Sequence, residues 1–224
     1  IPRDEMDKQY SMGAVSGELP DIMLVDICTA AVYVEMGICA DITDYFNEWE
    51  DKDKFLEQPM SAMSKDGRVY GIPQNVNSLA VYYDKAAFKD AGIESEPTTW
   101  DELLDVCATL KEKYPDKYAG VFAGKDAWVM DEMMLTVLGQ QGDYYNQWRY
   151  DGADVDSKEY KMAFEGFKKF FDEGIFTKDT LDLDYASATE EFTNGNALVY
   201  YMGSWESPLL SKQLREKNGI ELED

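Results

Sequence analysis

Residues 195–208 read GNALVYYMGSWESP. Gly195 stops whatever precedes it, ALVYYM is an apolar run of strand length rich in β-branched and aromatic residues, and Ser207-Pro208 supplies the cap and first-turn proline of a new helix. A buried strand set between two helices is the repeating unit of an α/β layered fold. The same grammar extends upstream. Ser187 with Glu190 reads as a capping box opening a short helix that Gly195 closes, and Ser157 to Phe171 is amphipathic, with Tyr160, Ala163, Phe164, Phe167, Phe170 and Phe171 on one stripe and Gly174 beyond its end. AWVMDEMMLTVLG (127–139) reads as a largely buried helix and YAGVFAG (118–124) as a short strand. Thr99 with Glu102 is a second capping box, followed by Trp100, Leu103, Leu104, Cys107 and Leu110 on one face.

Nearer the start, SLAVYYD (78–84) is an apolar strand and DKAAFKDAGI (84–93) a short helix closed by Gly92. DGRVYGIP (66–73) opens on an Asp66-Gly67 turn. TAAVYVEMG (29–37) has helical spacing with a terminal Gly37, ADITDYF (40–46) is a connection, LPDIMLVD (19–26) looks like a buried parallel strand, and Arg3 to Val15 is helix-compatible. Helices crowd the chain after SLAVYY, so the expected lobes are 1–83, an incomplete first α/β lobe, and 84–224, most of a second. The opening IPRDEMDKQY reads as the middle of a helix and the closing NGIELED as a turn entering a strand, so the sequence reads as a fragment. It shows no secretion signal and no apolar run long enough to span a membrane.

The chain has 224 residues, 45% hydrophobic and 29% charged, enough to bury a core. Its 21 Lys and Arg against 45 Asp and Glu give a net charge of −24. Such a field repels phosphate backbones and anionic headgroups, which excludes nucleic acid and membrane-surface partners. With no histidine, every mechanism that needs imidazole is absent: Ser-His-Asp and Cys-His nucleophiles, HExxH zinc sites and a histidine pH switch. Cys28, Cys39 and Cys107 form no CxxC pair. The first two would lie roughly 16 Å apart along a helix, beyond disulfide reach, and Cys107 reads as a small buried hydrophobe.

Two motifs fail. GVFAGKD (120–126) has one residue too few for a phosphate loop and Asp126 where Ser or Thr must hold magnesium. DGADVDSKEYK (151–161) lacks the third ligand and the glycine of an EF-hand, and reads as a solvated acidic turn. No metal or cofactor is expected. The informative residues are aromatics at strand ends. Trp205 follows ALVYYM through Gly203, at the carboxyl end where open α/β sheets bind ligands, and Gly203 would let the backbone approach one closely. Packing beneath the next helix is the alternative for Trp205, and for Trp128 at its helix start. Asn75 and Asn77 read as turn formers or ligand contacts.

Read together, SGELPDIMLVD (16–26), GRVYGIPQNVNSLAVYYDKAAFKDAGI (67–93), PTTWDELLDVCATLK (97–111) and FTNGNALVYYMGSW (192–205) resemble the sugar-binding, maltose-binding-protein-like solute-binding proteins of ABC importers. The resemblance covers nearly the whole sequence. It implies a periplasmic-binding-protein-like type II α/β fold, binding of a neutral carbohydrate in an interlobe cleft without catalysis, ABC permease subunits as partners, and an extracytoplasmic location, as a lipoprotein or free in the periplasm. It also implies ligand contacts. Trp205 falls at a ring-stacking position and Trp128 at the second lobe's ligand loop. Asp26, Cys28 and Thr29 fall at the first lobe's loop, and Asn77 at a sugar-hydroxyl contact across the cleft from Trp205. A carbohydrate-active enzyme using paired carboxylates, or a surface receptor or adhesin on the same fold, are the alternatives.

Overall fold

The computed structural model describes residues 3–140 and 154–211. They fall into two compact units, one running to Val76 and the other beginning at Asn77.

In the first unit the helices are α1 (Arg3–Ser16), α2 (Ile27–Glu35), α3 (Thr43–Glu48) and α4 (Glu57–Ala62), followed by a hairpin of β1 (Ser64–Lys65) and β2 (Arg68–Val69). The hairpin turns on Asp66 and Gly67, both at positive φ (52° and 75°), the conformation that matches strand twist. α2 buries Ala30, Ala31 and Tyr33, and Tyr10 of α1 meets the Tyr33 ring edge-on at 6.0 Å. The Tyr33 hydroxyl donates to Asp7 at 2.6 Å, and burial together with that carboxylate raises its pKa.

Two expectations change here. ADITDYF carries α3 rather than a plain connection. LPDIMLVD forms no strand: Ile22 is 89% and Leu24 57% exposed. An apolar extended run becomes a strand only when another strand completes its ladder, and none lies beside it among the described residues.

The second unit is built on β4 (Val199–Gly203), every residue of which is buried. On one side it pairs antiparallel with β3 (Leu79–Tyr83), Leu79 opposite Gly203 and Tyr83 opposite Val199. On the other, parallel bridges join Tyr118 to Ala197 and Val121 to Tyr200. Around this sheet run α5 (Lys85–Asp90), α6 (Trp100–Lys113), α7 (Ala127–Gly139), α8 (Lys158–Asp172), α9 (Tyr185–Thr193) and α10 (Ser207–Leu210). The division expected at Tyr83-Asp84 thus differs from the observed one, because β3 is hydrogen bonded to β4 and goes with the second unit.

The helix faces follow the apolar periodicity. α6 buries Leu103, Leu104, Cys107 and Leu110, and burial pushes the Cys107 thiol up to about 12. α8 buries Ala163, Phe167 and Phe170 but leaves Phe164 53% exposed. Phe122, itself fully buried, meets Phe176 at 4.7 Å and Phe167 at 5.9 Å. Its neighbours Val121 and Ala123 are also fully buried, so the GVFA part of GVFAGKD packs the core while Lys125 is exposed.

Thr99 caps α6 by accepting from the Glu102 N–H at 3.2 Å, while Glu102 reaches back one residue further than expected, to the Thr98 N–H at 2.7 Å. The box expected at Ser187 is displaced. Asp184 caps α9, accepting from the Ser187 N–H at 3.0 Å and its hydroxyl at 2.7 Å, so Ser187 lies inside the helix. Asp154 closes the acidic turn by accepting from the Asp156 N–H at 3.0 Å. The three cysteines form no disulfide with one another. Of the helix expected from Ser207-Pro208 to before Gly219, α10 covers Ser207–Leu210 and ends there, with Ser211 extended; the rest of the expected span lies outside the described residues.

Truncation on the two sides of α8 separates core from surface. Phe122→Ala should cost about 3–5 kcal/mol and Phe164→Ala no more than about 0.5 kcal/mol, measured by urea unfolding. Equal losses would contradict this packing.

Candidate functional site

The chain leaves β4 at Gly203, makes one 3-10 turn (Ser204–Glu206), and enters α10. The strand end is fixed from β3. Ser204 N–H donates to the Ser78 carbonyl at 2.8 Å, and the Tyr82 hydroxyl donates to the Gly203 carbonyl at 2.9 Å. The Ser204 hydroxyl donates to Asn77 Oδ1 at 3.3 Å, a contact between residues 127 positions apart. Asn77 therefore sits in the same unit as Trp205 and one residue from it through Ser204, rather than across from it in the first lobe. The reason is again the β3–β4 pairing.

Trp205 is half-buried and folds back over Gly203. A methyl group at Gly203 would overlap the six-membered ring of the indole. The space left by the missing side chain is thus filled by Trp205 itself, where a ligand's approach was expected. The indole lies 5.9 Å from Trp128 at an interplanar angle of 47°, and Trp128 lies 5.9 Å from Tyr185 at 59°.

Local chemistry brings the two helix starts together. Asp126, which leaves α7 without a side-chain cap, instead accepts from the Tyr185 N–H at 2.7 Å. Lys125 N–H donates to the Leu183 carbonyl at 3.0 Å, and its ammonium lies 3.6 Å from Asp184. Trp128, Tyr185 and Trp205 form one group of half-buried rings. Grouped half-buried rings offer an apolar face of the kind on which a ligand can stack.

Glu206, next to Trp205, is 1% exposed. Its Oε1 accepts from the Tyr185 hydroxyl, and its buried Oε2 has no hydrogen-bond partner. Burial raises its pKa above the usual carboxylate range, against the lowering effect of the Tyr185 hydrogen bond. Tyr185 and Glu206 escaped the sequence reading. Placing the cap at Ser187 left Tyr185 outside its helix, and one acid among 45 carries no sequence signal.

The first unit holds the other expected residues. Asp26 precedes α2, and its carbonyl accepts from the Thr29 and Ala30 N–H groups, both at 3.0 Å. Thr29 spends its hydroxyl locally, on the Asp26 carbonyl at 3.3 Å. Asn75 is exposed near the end of this unit. Among the described residues no three His, Cys, Asp or Glu are grouped to hold a metal ion.

The profile of the bacterial extracellular solute-binding protein family matches residues 3–214. Lipoprotein LipO of Bacillus subtilis is 26% identical over 217 residues, 89% of this chain and 42% of that protein. A multiple sugar-binding protein of Streptococcus mutans is 26% identical over 153 residues, 65% of this chain and 36% of that protein. Among solved structures, a chitin oligosaccharide binding protein superposes with a TM-score of 0.75 at 25% identity, over 96% of this chain and 55% of that one. The chain thus spans about half the length of the relatives it matches. The fold is the α/β type II periplasmic-binding-protein fold.

The overlap at Gly203 sets a double-mutant test. Gly203→Ala should expel the indole, red-shifting tryptophan emission and lowering stability by about 1–3 kcal/mol. In the Trp205→Ala background the same change should cost less than half as much, because the clashing ring is gone. Additive losses would contradict the packing of Trp205 on Gly203.

Proposed function

The chain belongs to the bacterial extracellular solute-binding protein family, and from that premise we propose that it captures a neutral carbohydrate or oligosaccharide outside the cytoplasmic membrane, for delivery to the permease subunits of an ABC importer, without chemistry on the solute. The observation that carries this reading is the pair of half-buried indoles, Trp128 and Trp205, beside the exposed amide of Asn77.

A sugar ring offers an apolar C–H face and an edge of hydroxyls. The first stacks on aromatic rings, and the second needs groups that both donate and accept, as an amide does. The net charge of −24 disfavours an anionic solute, which would approach against the field. The names of the Streptococcus mutans relative and of the chitin oligosaccharide binding protein point to the same ligand class. The first unit's contribution is assigned to Asp26, Thr29 and Asn75. Among the described residues no helix is long and apolar enough to cross a membrane.

The experiment is a thermal-shift screen of the intact protein against chito-, arabino- and malto-oligosaccharides and their monosaccharides, followed by calorimetric titration. A ligand that binds only the folded state raises the melting temperature. An indole face covering roughly 80 Å² of sugar contributes on the order of 2 kcal/mol, so Trp205→Ala should weaken binding about thirtyfold. Unchanged affinity in that variant, or turnover of any glycoside in the screen, would contradict the reading.

A further inference from the structure

The sequence pattern makes Ser207 the cap of the last helix, yet the cap position of α10 falls to Glu206, which makes no side-chain capping bond. The 3-10 turn Ser204–Glu206 has no side-chain cap at its start either. The Ser207 hydroxyl is used elsewhere: it lies 3.3 Å from the Tyr82 hydroxyl of β3. Tyr82 donates its one proton to the Gly203 carbonyl at 2.9 Å, so the second bond must run from Ser207 to the Tyr82 oxygen. A single phenol thus ties the residue that enters the turn to the residue that leaves it, with Trp205 midway between them. The peptide joining Gly203 to Ser204 is held at both poles, its C=O by Tyr82 and its N–H by the Ser78 carbonyl at 2.8 Å. It is over Gly203 that the indole folds back.

We propose that Tyr82 is a positioning residue for solute binding: its hydroxyl, bonded to Gly203 and to Ser207, fixes the turn so that the Trp205 indole is held in the orientation the solute meets. The inference rests on the reading of Trp205 as the solute's stacking surface. Trp205 is half-buried, so the core grips only part of the ring, and the turn that carries it has no side-chain cap of its own. The tie comes from the sheet instead. Tyr82 stands opposite Tyr200 in the β3–β4 register, the two rings 6.2 Å apart, so the phenol is carried by a rigid element rather than by the turn it holds. An indole already immobilised in the free protein loses less freedom when a sugar stacks on it, which favours binding without any added contact.

Three variants test this. Tyr82→Phe keeps the ring against Tyr200 and deletes the hydroxyl, Ser207→Ala removes one of the two bonds, and Ser207→Thr keeps a hydroxyl in its place. In the ligand-free, fluorotryptophan-labelled protein the Trp205 fluorine signal should shift and broaden in Tyr82→Phe, shift less in Ser207→Ala, and stay near its wild-type position in Ser207→Thr. In calorimetric titration with a chito-, arabino- or malto-oligosaccharide that raises the melting temperature, Tyr82→Phe should weaken binding about fivefold. In the Trp205→Ala background the same change should leave affinity as it is, because the hydroxyl acts only through the indole. If Tyr82→Phe does not fold, Ser207→Ala and its rescue by threonine decide. A Trp205 signal unmoved by loss of either hydroxyl, or an equal loss of affinity in the Trp205→Ala background, would overturn the proposal; a phenol that only supports the fold would lower the melting temperature and leave both readouts alone. If no sugar binds while the Trp205 signal moves as stated, the solute reading falls and the tie on the turn stands.

Discussion

The antiparallel pairing of Leu79–Tyr83 with Val199–Gly203 is the constraint on which the rest depends. It joins segments far apart in sequence, and such closure is tolerable because its entropic cost grows only logarithmically with loop length. The register puts Tyr82 opposite Tyr200, rings 6.2 Å apart, and Leu79 opposite Gly203. A slip of one residue would turn every side chain of β3 to the other face. It would also move Ser78 off Ser204 and Asn77 out of reach of its hydroxyl, and so dissolve the edge of the site.

What could be read from the sequence was what periodicity encodes locally. The stripe of α6, that of α8 except for the exposed Phe164, the turn at Asp66-Gly67 and the strand running up to Gly203 stand where their spacing puts them. Partner choice is not encoded that way. SLAVYY looks the same whether it joins the segment before it or one that arrives more than a hundred residues later, and the helix-rich stretch after it suggested the wrong side. LPDIMLVD has strand composition but no ladder among the described residues, and composition without a partner does not make a strand. At α9 two caps competed within four residues, and Asp184 prevailed by bonding both the backbone and the hydroxyl of Ser187.

The site shows the same division. Trp205 and Trp128 were visible because large aromatics at a strand end and a helix start are unusual, and the two now stand 5.9 Å apart. Gly203 was visible too, but its reason was not: the glycine accommodates the neighbouring indole. Tyr185 and Glu206 were invisible because their meaning is tertiary. Burial turns one of many acids into a group whose charge is expensive, and only the fold shows which acid is buried.

The central claim is that Trp205 and Trp128 form the surface a neutral carbohydrate meets. Fluorine NMR of the fluorotryptophan-labelled protein tests it directly, with the signals assigned by single Trp→Phe variants. On addition of an oligosaccharide that raises the melting temperature, the Trp205 and Trp128 signals should shift saturably while that of Trp100, packed edge-on against Phe170, stays in place. Saturable binding that leaves both site signals unmoved would contradict the account.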